Sequence, residues 1–299
     1  MNSRILRILR IFLRSLFNAI KKLTELVALS FNAKKMKDVL TSSISGVTLV
    51  GRRVDVENYT DIESLSENLN KIISHTRLSE SSTSNILDVG ANLGFYSLAF
   101  AKNPRTYVLA YEPYTESYNY LKSNIKNNSM ANIKPINAGL SDENEKLFLG
   151  PPFYKGRSTR FFKYFDRYSL GSRTIHTDKK ASRADFLSSF YIGDDRNEIR
   201  DLNTLGVIKV DVEGSEMKVL KGLNETIKKY HPAIMIEINN NYNTDEIFNF
   251  LIEKGYDQFL DFSLLNDSNV LSQIKNINLL DQNLNQEKIA LDMVFFKSN

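Results

Sequence analysis

Asn85-Ile86-Leu87-Asp88-Val89-Gly90-Ala91-Asn92-Leu93-Gly94-Phe95-Tyr96-Ser97-Leu98-Ala99-Phe100-Ala101 reads as strand, tight loop and helix. An apolar run stops at Asp88, two glycines break it, and apolar residues return at helical spacing from Phe95. Gly90 and Gly94 lack a Cβ, so the backbone between them can turn sharply and a ligand can lie against the peptide groups. The unpaired N–H groups at the start of the helix are expected to point at the same place. Asp88 and Asn92 set hydrogen-bonding side chains at the C-terminal edge of the strand, where open α/β sheets bind ligands. The plainer alternative is a strand-to-helix turn that uses glycine for geometry alone.

The glycine spacing is not the GxGxxG of a dinucleotide site. The pattern D-x-G-x-N-x-G, carried by Asp88, Gly90, Asn92 and Gly94, is similar to the S-adenosylmethionine (SAM) sites of class I methyltransferases. An acid and an amide suit a cationic ligand with amino, carboxylate and ribose groups, whereas pyrophosphate would prefer bare glycine backbone. Thr106 to Tyr111 is a second β-rich run, ending at Glu112-Pro113, 24 residues after Asp88. An acidic residue there can accept hydrogen bonds from both ribose hydroxyls, and the alternative is a solvated residue at a strand end.

The chain of 299 residues has room for one domain of about 200 residues with an appendage, or for two small domains. With 42% apolar and 25% charged residues it is a folded globular sequence, and with no cysteine it excludes disulfides, thiolate zinc sites and cysteine nucleophiles. A net charge of +4 is too mild to argue for nucleic acid. Arg4, Arg7, Arg10, Arg14 and Lys21 fall on one helical arc, with Leu6, Leu9, Phe12, Leu13, Leu16 and Ile20 opposite. Residues 1–40 are therefore expected to form a basic amphipathic helix. Its residues 4–23 can associate peripherally with an anionic membrane or pack on the domain, and no run is long enough to span a bilayer. Residues 41–84 read as a cap and linker: a small hairpin or extended pair around Gly51, a helix from Asp61 to His75, and a polar linker from Ser79.

Ile133 to Leu140 reads as a third strand, with Asn137 near the adenine of a bound nucleoside, and Lys146 to Leu149 as a returning strand. Residues 150–195 crowd aromatic and cationic side chains, among them Phe153, Tyr154, Arg157, Arg160, Phe161 and His176, with little periodicity. Such an insertion suits acceptor specificity, since aromatic faces stack on sugars or bases and Arg or Lys binds phosphate or carboxylate. Leu205 to Val210 is a fourth strand running into Asp211-Val212-Glu213-Gly214-Ser215-Glu216, and His231 to Ile238 is a fifth with Glu237 at its end. Asp211 and Glu213 could deprotonate an acceptor hydroxyl, hold a divalent cation that lowers its pKa, or hold the ammonium of the cofactor and shape the loop. A helix from Thr244 to Glu253 and strands at Gly255–Leu260 and Asp292–Phe296 complete the chain.

In their order and spacing, NILDVGANLGFYSLAFAK, VLAYEPYTESYNYLKSNI, NAGLSD, VIKVDVEGSEMKVLKG and HPAIMIEIN resemble the FkbM family of class I SAM-dependent methyltransferases, from about Asn85 to Asn239. The resemblance implies a Rossmann-like α/β fold whose seven-stranded, mostly parallel sheet has one antiparallel strand and helices on both faces. It implies transfer of the SAM methyl group, most often to a hydroxyl oxygen of a sugar or related small molecule. The family's first motif falls on Asp88, Gly90, Asn92 and Gly94, its ribose contact on Glu112, and its acidic block on Asp211, Glu213 and Glu216. The expected cofactor-binding residues are therefore Asp88, Gly90, Asn92, Gly94, Glu112, Asn137 and Asp211. Expected catalytic residues are Asp211, Glu213 and Glu237, with Asp211 and Glu213 as ligands if a divalent cation is used. The methyltransferase domain would span residues 85–299, and its acceptor would be a small molecule or a glycan or glycolipid precursor in the cytoplasm or at the inner membrane face. The rival readings are an RNA-binding or RNA-modifying protein that uses the basic insertion and a non-catalytic membrane-associated scaffold.

Overall fold

Runs such as Ile86–Val89 and Val207–Val210 are buried on both faces and mostly apolar, which suits parallel strands covered by helices on each side. The computed structural model describes residues 39–57, 59, 61–76, 83–150, 174–176, 186–239, 244–262, 275–276 and 290–298. Nearly all of the expected N-terminal helix over 1–40 lies outside the described residues, as do most of the serine linker, residues 151–173 and 177–185 of the insertion, and most of the 264–286 connection.

The chain opens with a hairpin, β1 (Val39–Ile44) and β2 (Val47–Arg52), and the helices α1 (Arg53–Val56) and α2 (Ile62–His75). Then β3 (Ser84–Val89), α3 (Phe95–Ala101), β4 (Thr106–Tyr111), α4 (Thr115–Asn127) and β5 (Ile133–Ile136) alternate. Four strands follow, β6 (Gly139–Ser141), β7 (Glu145–Gly150), β8 (Thr174–His176) and β9 (Phe186–Ile192), then α5 (Asn197–Arg200) and β10 (Val207–Val210). After α6 (Glu216–Gly222) and α7 (Asn224–Tyr230) come β11 (Ala233–Asn239), α8 (Thr244–Glu253), β12 (Gln258–Asp261), β13 (Lys275–Asn276) and β14 (Ala290–Phe296).

The main sheet has the order β13-β12-β14-β11-β10-β3-β4-β5. The five strands from β5 to β11 are parallel, and β14 runs antiparallel between β11 and β12. These are the expected seven strands with one reversed, and the eighth is the two-residue edge strand β13. The chain builds outward from β3 to β5, then returns to β10 and continues the other way, so a switch of direction falls between β3 and β10. Crevices open at such points beyond the C-terminal strand ends. Strand alternation sorts the core into two layers. Ile86, Val108, Val207 and Met235 face α2 and α3, whereas Leu87, Leu109, Ile208 and Ile234 face α6, α7 and α8.

Three expectations need correction. The N-terminal hairpin turns at Ser45-Gly46, both with positive φ, and not around Gly51. Two such residues form the tight turn that matches strand twist, and Arg53 to Val56 becomes a helical turn instead of the second arm. The third strand does not run through to Leu140, because the chain breaks at Asn137-Ala138 and β6 leaves for a separate sheet of order β6-β9-β7-β8. The end of the aromatic insertion is likewise a strand, β9, paired with both β6 and β7.

The outer edge of β2 is closed by side chains of α4 in place of another strand. Asn128 accepts from the Thr48 N–H at 2.7 Å and donates to its carbonyl, while Asn124 accepts from the Val50 N–H at 2.8 Å and donates to the carbonyls of Val50 and Leu93. Asn124 is fully buried, so its backbone partners have no water to turn to. Asn124→Ala is expected to destabilise the fold by about 2–3 kcal/mol, read as a lower urea midpoint. A change within a few tenths of a kcal/mol would show that water replaces the amide.

Candidate active site

Two loops meet at the switch of sheet direction because Gly90 lets them. Its φ is +82°, and a Cβ there would lie 1.9 Å from the Asp211 carbonyl oxygen, so no other residue lets the β3 and β10 loops approach as they do. Beneath them, Asp88 and Lys209 are register partners in adjacent strands. Lys209 is only 5% exposed, with its Nζ 3.4 Å from Asp88 and 3.2 Å from Asp211, and the Tyr96 ring centroid lies 4.9 Å away. Burial works against the ammonium, but Asp211, Asp88 and Tyr96 together outweigh it and hold the group above the ordinary lysine range. The other Asp88 oxygen accepts from the Ser97 hydroxyl at 2.6 Å.

Above this ion pair lies a cavity of about 320 Å³. Its walls include Gly90, Asn92 and Glu112, the carboxylates of Asp211, Glu213, Glu237 and Asp292, and the rings of Tyr59, Phe95 and Tyr96. Glu112 accepts from the backbone N–H groups of Asn92 at 2.8 Å and Tyr114 at 2.7 Å, so it staples the glycine loop to the end of β4. Burial lifts its carboxyl to about 7, with Asp88 and Asp211 adding to the rise and the two N–H donors opposing it. Burial and the charges of Asp211 and Glu216 likewise lift Glu213 to about 7. Glu237 is pushed well above the carboxylate range by burial and by Asp211, Glu213 and Asp292. Asp292 is raised too, first by burial and then by Asp211. Carboxylate oxygens of Asp211, Glu213 and Glu237 lie within 4.8 Å of one another, close enough to hold one cation.

The cavity brings together Gly90, Asn92, Glu112, Asp211, Glu213 and Glu237. Asp211 and Glu213 reach the same side through the turn after β10, where Glu213 has φ 55° and Gly214 φ 97°, and not by strand alternation. Asp88 is wholly buried behind the wall and meets the site through Lys209. Gly94 starts α3 in the left-handed conformation against Leu121, and Glu216 accepts from the Gly214 N–H; neither lines the cavity. Asn137 is also outside the lining, since its amide donates to the carbonyls of Glu112 and Pro113. His231 lies away from it, with Nε2 3.0 Å from Lys297 Nζ, and the His176 side chain is outside the described residues.

Sequence reasoning passed over Lys209, Asp292, Tyr59, Tyr96 and Phe190. A lysine inside the apolar run Val207-Ile208-Lys209-Val210 was the readable signal, since such a residue is buried only with partners. Asp292 joins the site because β14 pairs with β11 and sets it opposite Glu237, a long-range pairing that no local pattern announces.

A doubly wound sheet with an acidic cleft at its switch point is the frame of a nucleotide-type ligand site. The sequence matches the family described as "Methyltransferase FkbM domain" over residues 88–257, and the chain belongs to that family. It is 29% identical over 164 residues, 47% of the chain, to methyltransferase sdnD of Sordaria araneosa, of which the match spans 60%. It is 25% identical over 166 residues, 56% of the chain, to hexuronic acid methyltransferase AglP of Haloferax volcanii, again over 60% of that protein. A crystal structure of methyltransferase FkbM from Methylobacillus flagellatus aligns with 73% of the chain and 45% of its own, at 16% identity and TM-score 0.43.

Removing the ammonium would leave Asp88 buried without its ion-pair partner. Lys209→Met is expected to cost about 3–5 kcal/mol of stability in urea unfolding, and Lys209→Met with Asp88→Asn clearly less. Equal losses in the two variants would contradict the pairing. Glu112 holds its proton more tightly in the folded than in the unfolded protein, so its contribution to stability is complete below the ordinary glutamate value of 4.5 and is lost as pH rises through about 7. Wild type should therefore lose stability relative to Glu112→Gln across that window, and parallel pH profiles would refute the shift.

Proposed function

We propose that this protein transfers the methyl group of SAM to a hydroxyl of a sugar, or of a glycan or glycolipid precursor. The observation that carries the reading is one hollow, at the C-terminal ends of adjacent parallel strands, walled by the Gly90–Asn92 turn, Glu112 and the carboxylates of Asp211, Glu213 and Glu237. The residues fit the donor. Each Glu112 oxygen has acceptor capacity beyond its one backbone N–H, which suits a pair of ribose hydroxyls. Asn92 Oδ1 is buried without a hydrogen-bond partner, which suits an incoming ammonium or hydroxyl.

When bound, SAM supplies a methyl carbon that its sulfonium already activates, so the C–S bond breaks as the new C–O bond forms and the electron pair returns to sulfur. The chain then has to align the acceptor and take its proton. Glu213 and Glu237, both titrating nearer neutrality than an ordinary carboxylate, suit the acceptance of that proton. Tyr59, stacked on Phe95 at 4.2 Å between centroids, and Tyr96 beside it offer a wall against which a sugar ring can lie. A divalent cation at Asp211, Glu213 and Glu237 would lower the pKa of the hydroxyl instead. No described helix is long and apolar enough to cross a membrane. On this reading the basic segment 4–23 lies against an anionic membrane from the cytoplasmic side, which suits a lipid-linked acceptor.

Calorimetry tests the donor. SAM should bind, Glu112→Ala should weaken binding by on the order of tenfold or more, and binding near pH 7 should release protons as the cation and the ribose hydroxyls favour ionised Glu112, Glu213 and Glu237. Absence of binding heat from the wild type at several temperatures would end the enzyme reading. For the membrane arm, the full chain should sediment with phosphatidylglycerol vesicles and stay in solution when Arg4, Arg7, Arg10 and Arg14 are all changed to Glu. Equal sedimentation of both proteins would rule the surface helix out.

A further inference from the structure

We infer that the acceptor seated in this cleft is an uncharged or amine-bearing polyol, and not a carboxylated or phosphorylated one. The inference rests on the proposed methyl transfer and adds the charge class of its substrate. Five carboxylates, those of Glu112, Asp211, Glu213, Glu237 and Asp292, line the cavity, and among the described residues Lys209 is the one cation that does so. Its ammonium is already committed, lying 3.2 Å from Asp211 and 3.4 Å from Asp88 under the Tyr96 ring. An incoming anion would therefore find no described cation free to receive it.

Glu237 and Asp292 are register partners across the β11–β14 pair, and carboxylate oxygens of Glu213, Glu237 and Asp211 lie within 4.8 Å of one another. The upward displacement of Glu213, Glu237 and Asp292 reports the same crowding, since each is raised in part by a neighbouring carboxylate. The single net positive charge of SAM, added to that of Lys209, offsets only part of it. One further negative charge about 10 Å from an uncompensated carboxylate weakens binding by on the order of tenfold at an effective dielectric of about 20. An amine gains by the same amount. Aromatic rings line the same cavity: Tyr59 stacks on Phe95 at an interplanar angle of 21°, and Phe95 meets Tyr96 edge-on. Such a wall accepts the C–H face of a hexose or an ammonium group.

Saturation-transfer NMR on the full chain loaded with S-adenosylhomocysteine tests this with three matched rings: methyl glucoside, methyl glucosaminide and methyl glucuronide. Calorimetry first establishes that the nucleoside binds; failure there removes the methyl-transfer reading and this inference with it. With the nucleoside bound, the neutral and amine rings should show on the order of tenfold stronger contact than the glucuronide at pH 7.5. Glu213→Gln and Glu237→Gln, each compared at saturating nucleoside as judged by calorimetry, should narrow that ratio. Glucuronide contact equal to or stronger than that of the other two overturns the inference while the methyl-transfer reading stands. Contact from none of the three also overturns it.

Discussion

A buried ammonium set against two carboxylates is the constraint on which the site depends. Removing a lysine side chain from water costs several kcal/mol, so Lys209 is tolerable in the sheet only where Asp88 and Asp211 recover that cost. The pair also selects a register. Asp88 faces Lys209 with Ile86 opposite Val207 two residues earlier, and a slip of one residue would set the ammonium against Leu87 or Val89. Fixing β3 against β10 fixes the two loops that leave them, and so where Gly90 meets the Asp211 carbonyl. The ion pair thus lies one layer below the chemistry, and the geometry above follows from it.

The cleft concentrates local costs. Glu112 is buried among other carboxylates, Glu213 adopts a positive φ without being glycine, and Asn92 keeps a buried oxygen with no partner. Two of these costs have a specific support: two backbone N–H groups hold Glu112, and Glu216 grips Gly214 beside the strained turn. A positively charged ligand relieves the remainder, because it lowers the mutual repulsion of carboxylates that are partly withdrawn from solvent. Stability and affinity are therefore opposed here, and the free protein should be least content where the bound one is best satisfied.

Much of this was legible in the sequence, and the limits have physical causes. The strand-loop-helix at Asn85–Ala101, the acidic end of β4 and the succession of strands and helices along the chain follow from local periodicity and glycine placement, whereas the sheet itself came from the family resemblance. Lys209 was legible as well, as a charge in an apolar strand, but only with the register in hand does it point to Asp88. The break after Ile136 was not readable, since Pro135 and Asn137 fit an edge strand as well as an end. The second sheet depends on β9 pairing with β6 and β7 across long sequence separations, which an aromatic and basic composition conceals. Asn137 was assigned to the nucleoside from strand order alone, whereas its amide is spent on the backbone of Glu112 and Pro113.

The residues that line the hollow have two kinds of origin in the chain. The Gly90–Asn92 turn, Glu112 and Asp211 come from the ends of β3, β4 and β10, three neighbouring strands of one doubly wound unit, so local sequence nearly suffices to set them in place. The rest of the lining is assembled from remote pieces: Tyr59 from the N-terminal segment, Phe190 from the second sheet and Asp292 from the last strand. Tyr59 and Asp292 both fall outside residues 88–257, where the chain matches its family. Ile44, Leu49, Ile62 and Leu69 bury that N-terminal segment in the same core as Leu98 and Val207, and Tyr59 packs against that core. A shared motif can then keep one ligand's geometry while the remote wall changes residue by residue, because substitutions at Tyr59 or Asp292 do not pass through the Lys209–Asp88 register that positions the glycine turn.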